Sequence, residues 1–182
     1  NTDAVVRVFG TFVDSLITQN TIDRDPAASA GPCLTVEKST GAPARFSVRA
    51  NILVQEIAST NVLLLADVTQ CVVQGNMLRS TNAGASTAHA FDVQALTVAM
   101  DSILIAGNQI MAVAGTWLSA CRLLANGANV TGGVNFCGNM ATNIANGMYF
   151  EVVAGNFTGN TILMGGNTLN SSVADYTNAG GA

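Results

Sequence analysis

One eight-residue phrase recurs six times along the chain: apolar, any residue, apolar, two small or polar residues, Asn, any residue, apolar. Its copies read SLITQNTI (15–22), FSVRANIL (46–53), CVVQGNML (71–78), ILIAGNQI (103–110), VNFCGNMA (134–141) and ILMGGNTL (162–169). The Asn residues are Asn20, Asn51, Asn76, Asn108, Asn139 and Asn167, at steps of 31, 25, 32, 31 and 28 residues. A period near 30 marks a solenoid. Each repeat is one turn that cannot bury its apolar face alone and needs a neighbour above and below.

A second strand signal precedes each Asn phrase: VRVFG (6–10), LTVEK (34–38), VLLLA (62–66), FDVQA (91–95), CRLLA (121–125) and FEVVA (150–154). Both signals alternate with period two, and helical periodicity is nearly absent. Like strand then stacks over like strand, which requires parallel sheets along a common axis. The expected fold is all-β, a parallel β-helix of about six coils. It spans residues 1–172, and residues 173–182 are expected to form a polar tail.

Alternation also assigns facing. In the Asn strand, the residues five and three before the Asn, the Asn itself and the second residue after it share the inner side. The Asn sits at a bend, preceded by Gly in four of six coils. Glycine permits left-handed backbone. Amides stacked at the ~4.8 Å strand spacing can hydrogen-bond one another in a ladder. In the first strand, inward positions are assigned to Val8, Val36, Leu64, Val93, Leu123 and Val152. Outward ones are assigned to Arg7, Thr35, Leu63, Asp92, Arg122 and Glu151.

Composition narrows the function. Charged residues make up 10% of the 182, and the net charge is −4, against about 25% charged residues in ordinary domains. The seven basic residues are scattered and form no phosphate-tracking stripe, so nucleic-acid binding is not expected. No apolar run reaches the ~18–20 residues of a membrane span. Cys33, Cys71, Cys121 and Cys137 lack CxxC spacing, and a single His completes no zinc set. No metal or cofactor is expected, and Cys71 and Cys121, on different walls of the core, read as buried free thiols.

The Gly-Asn phrase stacked at about 30 residues resembles the right-handed parallel β-helix family. That is the pectin-lyase-like group, which includes polysaccharide lyases, glycoside hydrolases and β-helical phage tailspikes and fibres. The resemblance covers Val5 to Asn170 and implies the fold and its right hand. No catalytic motif of the group matches positions here, so it implies no active-site residue.

Two surface rows carry the functional expectations. Asp92, Arg122 and Glu151 stand on consecutive coils. Carboxylates two coils apart lie ~9.6 Å apart, near the upper limit for an inverting glycosidase pair. His89 lies nearby in a loop and could serve as acid or base. The same row reads equally as an alternating-charge ladder on a solvated face, and this is the expectation adopted, with His89 solvent-exposed. Scarce aromatics (Trp117, Tyr149, Tyr176) weigh against a sugar groove.

The second row is apolar where a free-standing solenoid should be polar. Four residues before each Asn it reads Leu16, Ser47, Val72, Leu104, Asn135 and Leu163, flanked by Ile52, Met77 and Met140 one residue after the Asn. A contiguous outward apolar row marks a protein interface. The expected role is a non-enzymatic structural module, extracellular, on a cell surface or on a virion. It would self-associate as a lateral trimer or an end-to-end filament. The competing expectation is a carbohydrate-active or carbohydrate-binding β-helix acting on a polysaccharide. Binding loops would lie at one corner, in 23–31, 80–90, 112–117 and 142–148.

Overall fold

The computed structural model describes residues 4–24, 31–38, 44–57, 60–82, 87–113, 115–158 and 162–178. Coil one runs β1 (Val6–Phe9), β2 (Leu16–Thr18) and β3 (Thr21–Arg24). Coil two runs β4 (Leu34–Glu37), β5 (Ala44–Arg49) and β6 (Ile52–Gln55), and coil three β7 (Leu63–Ala66), β8 (Thr69–Gln74) and β9 (Met77–Ser80). Coil four runs β10 (His89–Ala95), β11 (Asp101–Ala106) and β12 (Gln109–Ala112). Above it lie β13 (Trp117–Asn126), β14 (Val130–Thr131), β15 (Val134–Cys137), β16 (Met140–Ala154), β17 (Phe157–Thr158), β18 (Ile162–Gly165) and β19 (Thr168–Asn178).

Every strand pairing is parallel, and like strands stack into three walls. The first wall is β1-β4-β7-β10-β13-β16, the second is the six-stranded sheet β2-β5-β8-β11-β15-β18, and the third is β3-β6-β9-β12 continuing onto β16 and β19. The chain is a right-handed parallel β-helix with five full turns between Asn20 and Asn167. The long strands β16 and β19 each pass from the third wall into the first without a loop. Asn143 makes the corner in β16: it adopts φ 56°, its Nδ2 donates to Ala112 O at 2.7 Å, and the register with β19 shifts beside it.

Inside, like residues stack on like. The second wall contributes Phe46, Cys71, Ile103 and Val134, then Val48, Val73, Ile105 and Phe136, all buried. The third adds Leu53, Leu78, Ile110 and Ala141. Each side chain meets one neighbour above, one below and the opposite walls, so burial is shared between coils and no coil is stable alone.

Two columns of left-handed backbone bracket the Asn strand. One residue before the Asn, φ is 57° at Gln19, 52° at Ala50, 65° at Gly75, 61° at Gly107, and 62° at Gly138 and Gly166. Six residues before it, Asp14, Arg45, Gln70 and Ser102 have φ between 50° and 53°. The chain therefore enters and leaves the second wall through the same bend, coil after coil. The bend at the Asn turns its side chain inward, where it meets the next.

The Asn amides form one run of hydrogen bonds. Nδ2 of Asn20 donates to Oδ1 of Asn51, and so on through Asn76, Asn108 and Asn139 to Asn167, at 2.9–3.1 Å. Each acceptor oxygen also receives the backbone N–H of the Asn below. The second Nδ2 hydrogen of Asn51, Asn76, Asn108, Asn139 and Asn167 goes to a carbonyl of the coil below, such as Val73 O for Asn108. The four central amides are buried and leave no polar atom unpaired.

Sequence facing in the second wall matches the structure; in the first wall it needs two corrections. Leu63 is buried and Leu64 faces outward, because Val36 pairs with Leu65 and Thr35 with Leu64. The run VLLLA has no alternation to fix its side, and a one-residue slip reverses facing. Phe150, rather than Val152, stands over Leu123, and Tyr149, rather than Glu151, over Arg122. The segment expected as a tail from residue 173 continues as strand to Asn178, paired to β16. Residues 142–148, expected as a loop, lie within β16. Of the other expected loops, residues 25–30, 83–86 and 114 lie outside the described residues, as do 179–182.

Replacing Asn108 by Ala strips the acceptor from two buried donors of Asn76 and the donor from Val73 O. At about 1–3 kcal/mol per orphaned group, the cost should be about 3–5 kcal/mol in urea unfolding. Asn20→Ala, at the solvated end, should cost under about 1 kcal/mol. At Gly107 an added Cβ meets nothing within 4 Å. Gly107→Ala should therefore cost only the left-handed backbone penalty of about 1–2 kcal/mol by the same measurement.

Candidate functional site

On the outer face of the first wall, β10, β13 and β16 bring Asp92, Arg122 and Glu151 together. Asp92 is in register with Arg122, whose Nε and a terminal NH2 group donate to its two oxygens at 2.9 and 2.8 Å. The other arm of Arg122 donates to Glu151 at 3.0 Å. Glu151 stands in register with Leu124, two residues further along the strand, and Arg122 reaches it diagonally. Asp92 is wholly buried. It also accepts from Asn61 Nδ2 at 2.5 Å and Gln94 Nε2 at 2.6 Å. Four donors therefore converge on the carboxylate, three on Oδ2 and one on Oδ1.

Arg122 lies between the two carboxylates. Burial works to lower its pKa, but the bonds and charges of Asp92 and then Glu151 outweigh it and hold the guanidinium above its ordinary value. The cluster ties four coils together: Asn61 precedes β7, Asp92 and Gln94 are in coil four, Arg122 in coil five and Glu151 in coil six.

His89 is not the solvent-exposed loop residue expected. It opens β10 and is buried, 4% exposed. Its Nδ1 lies 2.6 Å from Ser119 Oγ, and its backbone N–H donates to Asn61 Oδ1. Its ring packs against Tyr149, centroids 5.3 Å apart. Burial, then the nearby positive charge of Arg122, lowers its pKa to about 4 against the partial opposition of Asp92. The imidazole is therefore neutral at neutral pH. Ser119 is fully buried as well. Asn61, Gln94, Ser119 and Tyr149 are partners that sequence reading missed. Only Gln94, two residues from Asp92 on the same strand, carried a signal.

As chemistry, this arrangement clamps coils. Asp92 is shielded from solvent, and among the described residues no group of three His, Cys, Asp or Glu is placed to hold a metal. Of the aromatics considered for sugar stacking, Trp117 is buried and Tyr149 faces His89, while Tyr176 is exposed at the last coil. A second buried carboxylate, Asp67, closes a turn of the next coil. Burial alone would raise its pKa, but bonds from Thr97, Leu96 and Val98 hold it below the ordinary carboxylate value.

The outer face of the second wall is the other candidate. Leu16, Ser47, Val72, Leu104, Asn135 and Leu163 stand in one register line across all six strands. Leu16 is 60% and Leu163 55% exposed, while Ser47, Val72, Leu104 and Asn135 are half-buried. The flanking line on the third wall runs Thr21, Ile52, Met77, Gln109, Met140 and Thr168; Ile52 and Met140 are exposed and Met77 half-buried. A depression of about 510 Å³ opens between Leu104, Asn135, Cys137, Leu163, Met164 and Gly165. Cys137 is half-buried there. Cys33, Cys71 and Cys121 are buried and free, and burial raises all three thiols, Cys33 to about 12.

The last coil leaves a hollow of about 440 Å³ at the end of the core, lined by residues including Phe150, Phe157, Ile162 and Tyr176. No helix among the described residues is long and apolar enough to cross a membrane.

The chain matches no protein-family model, no curated protein and no solved structure. The parallel β-solenoid architecture is therefore established by strand pairing, and no shared sequence ties it to the pectin-lyase-like or tailspike groups.

His89 is the only histidine, which isolates its contribution. The unfolded chain binds a proton near pH 6.5 and the fold resists it until about pH 4. Stability from the neutral imidazole is thus complete above pH 6.5 and falls as pH drops toward 4, by about 3 kcal/mol. Unfolding curves across this window should show that slope, and His89→Gln should flatten it. Asp92→Asn breaks a buried pair and should cost about 3–5 kcal/mol at pH 7.

Proposed function

We propose that this chain is a non-enzymatic structural module that self-associates through the outer face of its second wall. Its setting is an extracellular, cell-surface or virion appendage such as a fibre or spike. One observation carries the reading: an outward line of Leu16, Val72, Leu104 and Leu163 aligned over the whole length of a rigid sheet. Four of the six positions in this line are apolar and Ile52 and Met140 stand exposed beside it, and monomeric proteins rarely leave such patches uncovered. The 10% charge content supports the same reading, since few charges oppose close approach of copies.

The competing carbohydrate-active or carbohydrate-binding reading would place its chemistry at Asp92, Arg122, Glu151 and His89. It requires two carboxyl groups that reach a substrate together, and while Glu151 is partly exposed, Asp92 is buried under four donors.

Light scattering tests the proposal. The wild-type protein should show a mass of at least twice 18.6 kDa. Leu104→Lys with Leu163→Lys should return it to a single chain, since each buried, unpaired lysine opposes contact. Circular dichroism of the variant should be unchanged. Assembly that survives both lysines would remove this face from the proposal.

A further inference from the structure

The line on the second wall has an order that its members do not show singly. From coil one to coil six it reads apolar, polar, apolar, apolar, polar, apolar: Leu16, Ser47, Val72, Leu104, Asn135, Leu163. The order is the same from either end. Two such lines running in opposite directions place Leu16 on Leu163, Ser47 on Asn135 and Val72 on Leu104. Every apolar residue then meets an apolar one. Both polar residues meet a side chain with which they can hydrogen-bond, so none is buried without a partner.

Copies running the same way would match each residue with itself, so the order allows both directions and charge decides between them. The strands of this wall carry Arg45 and Arg49 in coil two and Asp101 in coil four. Asp14, at the entry to the wall, pairs with Arg45 at 2.9 Å. Copies packed in parallel set coil two, with Arg45 and Arg49, against itself. Copies packed in opposite directions set coil two against coil five, whose strand β15 carries no charged residue, so the arginines are kept apart, and avoidance of like charges favours that direction.

We propose that the occupant of this face is a second copy of the chain, packed wall to wall and running in the opposite direction. Its two-fold axis lies in the interface and passes between Val72 and Leu104. The contact is isologous: the same patch serves both copies, and the pair closes on itself. This rests on the self-association reading above and adds the orientation to it.

Disulfide trapping reads the orientation. Leu16→Cys and Leu163→Cys are made singly and together in a Cys137→Ser background, where the remaining cysteines are buried. Residues 16 and 163 are five turns apart, ~24 Å at the strand spacing, too far for a bridge within one chain. Mild oxidation of the double variant, or of the two single variants mixed, should give a covalent species of twice 18.6 kDa. Either single variant alone should stay uncrosslinked. Self-crosslinking of a single variant would establish parallel packing and overturn the orientation while leaving self-association standing. An assembled protein that crosslinks in no variant would overturn the use of this wall. A monomer by light scattering that never crosslinks would overturn both readings.

Discussion

The fold depends on a buried amide run whose every link is made between coils. Strands of one coil cannot pair with one another here, so each turn relies on its neighbours for both hydrogen bonds and burial. The Asn column answers a particular difficulty of that plan. At the bend between second and third walls the backbone turns through a left-handed residue and leaves the sheet ladder for a moment. The Asn N–H exposed at that point would be buried without a partner. For Asn108 the oxygen is Oδ1 of Asn139 in the coil above, and Nδ2 of that same side chain donates to Ile105 O of the coil below it. One residue type satisfies both directions because the Asn side chain carries both donors and an acceptor. Asp would lack the donors and Leu would lack both.

A second tie crosses the first wall. Asn61, Asp92, Arg122 and Glu151 link coils three to six through bonds of 2.5–3.0 Å. The two ties differ in kind. The amide run repeats in every coil and carries no net charge. The ionic cluster occurs once and centres on a carboxylate with no exposed surface. Burying a charge is costly unless it is paired and hydrogen-bonded, and here Arg122 pairs it while Asn61 and Gln94 add two further donors, which accounts for the number of donors gathered on Asp92.

The legible part of this protein is the part that repeats. The Asn phrase marks which residues stand in line on the second wall, and strand pairing places those rows in the same line. The first wall was legible only where polar and apolar residues alternate. In VLLLA nothing distinguishes the two faces, and Leu63 and Leu64 change places. At coil six, the loop-free corner at Asn143 brings the chain into the first wall early, and Glu151 stands two residues from the position that counting gives. His89 looked like a loop residue because its neighbours in sequence are small and polar. Its burial comes from Ser119 and Tyr149, which lie 30 and 60 residues further along the chain, and no local pattern reports contacts of that separation.

The same regularity gives the outer surface its meaning. In an ordinary domain, residues thirty positions apart have no fixed spatial order. Here the amide run and the recurring bend fix the rise and the phase of each coil, so the order of residues in the chain becomes their order along the axis. A change from Leu to Ser one coil further on is therefore a polar step at a fixed distance along a straight stripe. A second copy is built on the same rise, so its rungs stay in step with the first over the full length of the contact. A partner with a different spacing would drift out of step within a few rungs. Rigid repetition thus does more than build the scaffold: it restricts which surfaces can match the stripe, and the chain itself is one surface guaranteed to have the same spacing.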